Sequence, residues 1–343
     1  MRSSRLFIAL SVVLLLALTL SPALAQERQV VNVYSARHYG AMEAAFTAFT
    51  DATGIEVRLS QGSVQSLLER LRAEGTQTVA DVFFSIDAGG LDLAASEDLL
   101  QPIESDILTE AVPENMRDPE GRWFAVSQRI RTIMYNSETV DPSELSTYEQ
   151  LADPMWNGRL CLRPATHIYT ISLVGSLIAD LGEEAAEEVV AGWVANNPTY
   201  IDSDTRILET IAAGGCDVGL TNQYYLARLL SEDPEFPVRL FWANQGEGER
   251  GAFRNVSGAG VTSAALNVDN AIRLIEWMVT DGQSADETGI PGGNYEFPVN
   301  ADADIHPLLV EFGEFIIDPL PLSEYGDVQE AAVALLERTG YGF

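Results

Sequence analysis

The chain has 343 residues, 20 of them basic and 51 acidic, for a formal net charge of −31. So acidic a surface excludes nucleic acid as a partner, because polyanions are held by basic side chains that displace their counterions. The length exceeds what one hydrophobic core usually supports, so two lobes are expected.

The chain opens on Met1-Arg2-Ser3-Ser4-Arg5, an apolar run over 6–20, and Ser21-Pro22-Ala23-Leu24-Ala25. A basic start, a short apolar centre and an Ala-x-Ala end form the pattern of a secretory signal peptide, with cleavage expected after Ala25. The run is shorter than the ~20 residues of a membrane-spanning helix. Gln26, not a cysteine, stands directly after the cleavage position, and no later stretch is long and apolar enough to span. A soluble, exported, periplasmic product is expected.

Beyond the signal, residues 30–34 (Val-Val-Asn-Val-Tyr) read as an apolar strand ending in Ser35-Ala36-Arg37-His38-Tyr39-Gly40. Met42, Ala45, Phe46 and Phe49 then recur at helical spacing and stop near Thr53-Gly54. Residues 55–59 give a second strand, 64–74 a second amphipathic helix, and 80–85 a third strand apolar enough to be buried on both faces. This alternation predicts a parallel, doubly wound sheet. It puts Arg37-His38-Tyr39 and Ile86-Asp87-Ala88-Gly89 on one rim, at carboxyl ends of strands. After a polar loop, residues 123–135 read as a long strand suited to cross between lobes, with Arg129 and Arg131 on one side of it.

The second unit starts around Tyr148 and Trp156-Asn157-Gly158-Arg159. Its strand at Leu160 ends in Arg163-Pro164-Ala165-Thr166-His167-Ile168-Tyr169, and helices are expected over 170–181, 185–196 and 205–213, with a short strand at Tyr200-Ile201. A strand over 216–220 hands over, through Thr221-Asn222-Gln223-Tyr224-Tyr225, to a helix from 226 onward. Strands over 238–242 and 254–262, the latter recrossing the hinge, a helix over 270–280 and a Gly and Pro loop over 289–300 follow. Helical stretches over 307–315 and 327–338 close the chain.

Cys161 and Cys216 are the two cysteines. In an exported chain an even pair predicts a disulfide ahead of a metal or catalytic site. It would tie the strand before the tyrosine doublet to the one around Leu160.

His38, Tyr39, Tyr169, Tyr224 and Tyr225 all fall at strand-to-helix turns, where α/β proteins collect ligands. A phenol titrates near pH 10, so only a strong Lewis acid holds it deprotonated at neutral pH, and Fe(III) is the common biological ion that does so. Taken singly, each has an ordinary alternative, a turn histidine bonded to backbone or a tyrosine with one wet end. Among weaker signals, His167 lies within reach of the site, His306 reads as structural and Arg228 as helix surface. Asp302-Ala303-Asp304 and the glutamates of 183–188 read as solvated faces ahead of calcium sites. Asn255-Val256-Ser257 fits the glycosylation pattern by chance. Neither a Ser-His-Asp set nor a glycine-rich phosphate loop stands out.

Four segments, Tyr34-Ser35-Ala36-Arg37-His38-Tyr39, Ala80-Asp81-Val82-Phe83, Trp156-Asn157-Gly158-Arg159 and Asn222-Gln223-Tyr224-Tyr225-Leu226-Ala227-Arg228, resemble the periplasmic ferric-iron-binding proteins of ABC transporters, the FutA type above all. The resemblance runs in order through essentially the whole mature chain. It implies a class II periplasmic binding protein fold, two doubly wound α/β lobes joined by crossing hinge strands that close over Fe(III). The N-terminal lobe would comprise 26–130 with 255–305, and the C-terminal lobe 131–254 with 306–343, behind a signal peptide at 1–25. By position, Tyr224 and Tyr225 match the family's ligand doublet, Tyr169 its third tyrosine, and Tyr39 the first-lobe tyrosine, with His38 as adjacent ligand or near-ligand. One branch of the family uses a first-lobe glutamate and a bound phosphate. Ile86 stands at that glutamate's place here, so a phosphate is not expected.

Four phenolates around Fe(III) sum to −1, which calls for a nearby cation. Arg129 resembles the arginine behind the family's ligands, and Arg37 is a further candidate. The resemblance also implies a monomeric carrier that is not an enzyme and that meets an inner-membrane ABC permease. A polyamine receptor would want carboxylates on the rim, and a metalloenzyme would want an open coordination position.

Overall fold

A computed structural model describes residues 29–37, 40–286 and 289–342. The expected signal peptide and two of the ligand candidates, His38 and Tyr39, lie outside those residues. The first lobe runs β1 (Val30–Ser35), α1 (Gly40–Thr53), β2 (Glu56–Gln61), α2 (Val64–Glu74) and β3 (Val82–Ser85), as the apolar periodicity requires. β1 is parallel to both β2 and β3. Every residue of β3 is buried, as its continuous apolar run requires. α3 (Ala88–Ser96) follows, a helix the pattern does not announce, since Gly89 and Gly90 lower its intrinsic propensity. Asp87 makes up the deficit by capping the helix, accepting the Gly90 N–H at 3.2 Å. β4 (Leu100–Gln101) closes this unit, and α4 (Asp106–Ala111) lies in the stretch expected to be a polar loop.

The 13-residue strand β5 (Phe124–Asn136) joins the two halves of the molecule. Beyond it lie β6 (Leu160–Leu162), α5 (Ile168–Leu181), α6 (Glu183–Ala195), β7 (Thr199–Tyr200), α7 (Asp204–Ala212), β8 (Val218–Asn222), α8 (Gln223–Glu232) and β9 (Val238–Phe241). The chain then returns along β10 (Arg254–Thr262) and continues through α9 (Val268–Val279) and α10 (Pro307–Val310) to α11 (Gln329–Arg338). Phe124 to Ile130 pair with β10, whereas Arg131 to Asn136 pair with β8 and β9. One strand thus carries both halves of the sheet, in the order β2-β1-β3-β10-β5-β8-β6-β7.

The first unit is parallel as expected, and the sheet becomes mixed where the crossing strands enter it. β5 runs antiparallel to β8, β9 and β10, and β10 antiparallel to β3. A chain that crosses between lobes and comes back must lay its two crossing segments in opposite directions. The parallel character survives inside each lobe, where β6 pairs in parallel with β7 and β8. That pairing sets Cys161 beside the segment leading into β8, and Cys161 and Cys216 form the expected disulfide, with Cα atoms 5.9 Å apart. No helix among the described residues is long and apolar enough to cross a membrane.

Candidate metal centre

The second lobe presents its tyrosines at two adjacent strand ends. β6 leads to His167, which caps α5 by accepting the Tyr169 N–H on Nδ1 at 3.2 Å. β8 ends at Asn222, and Gln223 begins α8, so Tyr224 and Tyr225 lie in that helix's first turn. Gln223 pins the turn to the crossing strand: its Oε1 accepts the Ile130 N–H at 2.8 Å and its Nε2 donates to the Tyr295 carbonyl at 3.0 Å. β6 and β8 are parallel neighbours, so both tyrosine-bearing turns leave the sheet on the same side.

The hydroxyls of Tyr169 and Tyr224, both on buried side chains, stand 3.0 Å apart. Asn222 Nδ2 donates to the Tyr224 hydroxyl at 3.3 Å. The ring of Tyr225 lies 4.3 Å from that of Tyr224, tilted by 34°. Three of the five candidate ligands are therefore together in one place, and the other two, His38 and Tyr39, fall outside the described residues.

Cations surround this group. Arg129 and Arg131, two apart on β5, both face Tyr169, their guanidinium carbons 5.4 and 5.7 Å from its ring centre. Arg131 is committed elsewhere, paired with buried Asp204 at 2.7 Å and donating to the Leu220 carbonyl at 2.6 Å. Arg129 is buried and spends Nη1 on Ser257 Oγ at 3.1 Å, while its Nε and Nη2 make no hydrogen bond. Burial pulls its pKa down, but the negative potential of Tyr169, Glu296, Tyr224 and Asp87 outweighs burial and leaves it raised. Arg37 is bound to Glu296 at 3.0 Å, to Ser127 Oγ at 3.2 Å and to the Ile290 carbonyl at 3.3 Å, which commits its charge to that buried carboxylate.

Arg228 is not helix surface. Its guanidinium lies 5.1 and 5.3 Å from the ring centres of Tyr224 and Tyr225, and it donates to Asn294 Oδ1. A signal for this was present, since residues four and three apart on a helix share a face. Glu296 and Gln223 carried none, because their partners are distant in sequence. His167 packs its ring edge-on against Tyr169 at 4.6 Å. Burial, with Arg163 and Arg131 adding to it, pushes its pKa down to about 3, so the imidazole is neutral. His306 caps α10 through Nδ1, a structural role as expected. Among the described residues no group of three or more His, Cys, Asp or Glu is placed to hold a metal, and Arg338 bridges Glu183 and Glu187. A cleft of about 780 Å³ opens between α2 and α3 on one side and α5 and α11 on the other; His167 and Ile168 stand on its wall, and none of the three tyrosines does.

The sequence profile of bacterial extracellular solute-binding proteins matches residues 34–285. Iron uptake protein A1 of Synechocystis sp. is 39% identical over 322 residues, covering 92% of this chain and 88% of the relative. Among solved structures, Trichodesmium IdiA (FutA) in complex with iron and citrate ligands is 41% identical, with a TM-score of 0.83 over 91% of this chain and 99% of that one. The ferric binding protein of Campylobacter jejuni is 32% identical, with a TM-score of 0.84 over 91% and 99%.

Proposed function

The chain belongs to the family of bacterial extracellular solute-binding proteins, and from that premise we propose that it captures Fe(III) through tyrosinate oxygens in the interlobe cleft and delivers it to an inner-membrane ABC permease. The observation that carries the proposal is the approach of the Tyr169 and Tyr224 hydroxyls to 3.0 Å in a buried place faced by Arg129. Oxygens bound about 2.0–2.1 Å from a small octahedral cation, at right angles, stand about 2.9 Å apart. Relatives of this chain named for iron uptake and ferric binding support the same reading.

In this account Tyr169, Tyr224 and Tyr225 form the receiving face of the C-terminal lobe (131–254 with 306–343). Tyr39 and His38 complete the shell from the N-terminal lobe (26–130 with 255–305) as the hinge at β5 and β10 closes. Each phenol that binds gives up its proton, so affinity falls as pH drops. Arg129 offsets the negative charge that several phenolates leave around a trivalent ion, and the neutral imidazole of His167 adds no competing cation. The carrier is a monomer without catalytic activity, exported to the periplasm with its signal peptide cleaved after Ala25. Ferric citrate titration tests the reading: the protein should turn orange to red through tyrosinate-to-iron charge transfer, and a protein that stays colourless at saturating ferric citrate contradicts it.

A further inference from the structure

We propose that Asp87 is the latch of the closed state, a single first-lobe carboxylate that grips two helices of the opposite lobe and thereby sets how long the cargo is held. The proposal rests on the reading above in taking closure as the step that retains iron. Asp87 is fully buried, and its two oxygens accept four hydrogen bonds. Two come from its own lobe: the Gly90 N–H to Oδ1 at 3.2 Å and Asn255 Nδ2 to Oδ2 at 2.6 Å. Two come across the cleft: Ser172 Oγ to Oδ2 at 2.6 Å and Gln329 Nε2 to Oδ1 at 3.3 Å.

A carboxylate has about four acceptor positions, so the set is complete only when the lobes meet. The bonds within the first lobe hold the carboxylate in place. Asn255 fixes the same turn a second time, accepting the Ala88 N–H on Oδ1 at 3.1 Å. The approach of Gln329 requires glycine opposite it, since a Cβ on Gly89 would stand 2.0 Å from Gln329 Nε2.

Placement gives the contact its consequence. Ser172 lies one turn beyond Tyr169 on α5, the helix whose first turn carries the candidate ligand, and Gln329 is the first residue of α11. Gripping Ser172 therefore ties the first lobe to the helix that presents Tyr169. On opening, Asp87 keeps its Gly90 and Asn255 bonds and passes its remaining acceptor positions to water. The latch thus strengthens the closed form without making release irreversible.

The test removes the partners across the cleft and leaves the cap intact. Ser172→Ala combined with Gln329→Ala should speed iron loss to excess chelator by about tenfold or more, since hydrogen bonds to a charged group are among the stronger ones. Ser172→Thr, which keeps the hydroxyl, should restore most of the retention. Small-angle scattering, which reads closure with or without metal, should show the double variant more open than wild type in the same buffer. Unchanged scattering together with unchanged release from a coloured wild type would overturn the latch. A colourless wild type would instead sink the metal reading, and scattering of the metal-free pair would still decide the latch. Unaltered thermal unfolding of the opened double variant excludes a general packing defect.

Discussion

Tyr169 and Tyr224 are 55 positions apart in the chain, yet their hydroxyls meet at 3.0 Å. Parallel neighbours β6 and β8 release their helices on the same edge, and the disulfide between Cys161 and Cys216 fastens that edge from behind.

Tyr224→Phe and Tyr225→Phe should each bleach the ferric charge-transfer band. Tyr148→Phe is the control, because that buried hydroxyl donates to the Arg131 carbonyl at 2.6 Å and accepts the Phe253 N–H at 2.9 Å. Its loss should cost roughly 1–3 kcal/mol of stability by denaturant titration and leave the colour in place.

Arg129→Gln should weaken ferric binding in citrate competition. A charge pair about 5 Å apart at an effective dielectric near 20 is worth about 3 kcal/mol, so a loss on the order of ten- to hundredfold is expected. Undiminished affinity would leave the unpaired Nε and Nη2 of Arg129 without a role in balancing the site.

Reducing the disulfide, or replacing both cysteines by serine, should lower stability by about 2–4 kcal/mol, because the free chain regains the entropy of a long loop. Thermal melts with and without reductant measure it.

Stability should decline as pH rises from about 6.5 to 8. Burial raises Asp92 to about 8, despite hydrogen bonds from Trp123 and Gly326 and with Asp118 and Asp87 adding to the rise. Burial, with the neighbouring Asp318, raises Asp180 to about 7. A carboxyl raised in the folded state binds a proton there that the unfolded chain has lost, so each unit of rising pH costs about 1.4 kcal/mol per proton until its folded pKa is passed. His167 has the opposite sign, being lowered to about 3 from 6.5, and its effect is confined to lower pH. Asp92→Asn should flatten the slope in urea titrations between pH 6.5 and 8.

Much of this was legible in the residues. β10 falls on 254–262 as expected, α2 on 64–74, and the crossing strand within one residue of its expected position at each end, since long apolar runs and clear periodicity fix such elements. The tyrosine doublet was legible as a candidate site because a strand visibly gives way to a helix around it. Glycines hid α3, whose cap is a tertiary actor as well as a local one. The order of strands around the crossing pair was not legible, because it depends on how the lobes connect. Nor were the partners of Arg37 and Gln223, which arrive from positions 72 to 259 residues away.

Diffraction from crystals grown with Fe(III), recorded at the iron absorption edge, tests the central claim most directly. The account predicts one anomalous peak within bonding distance of the Tyr169, Tyr224 and Tyr225 oxygens. An iron peak elsewhere, with those three hydroxyls unbound in a closed molecule, would contradict it.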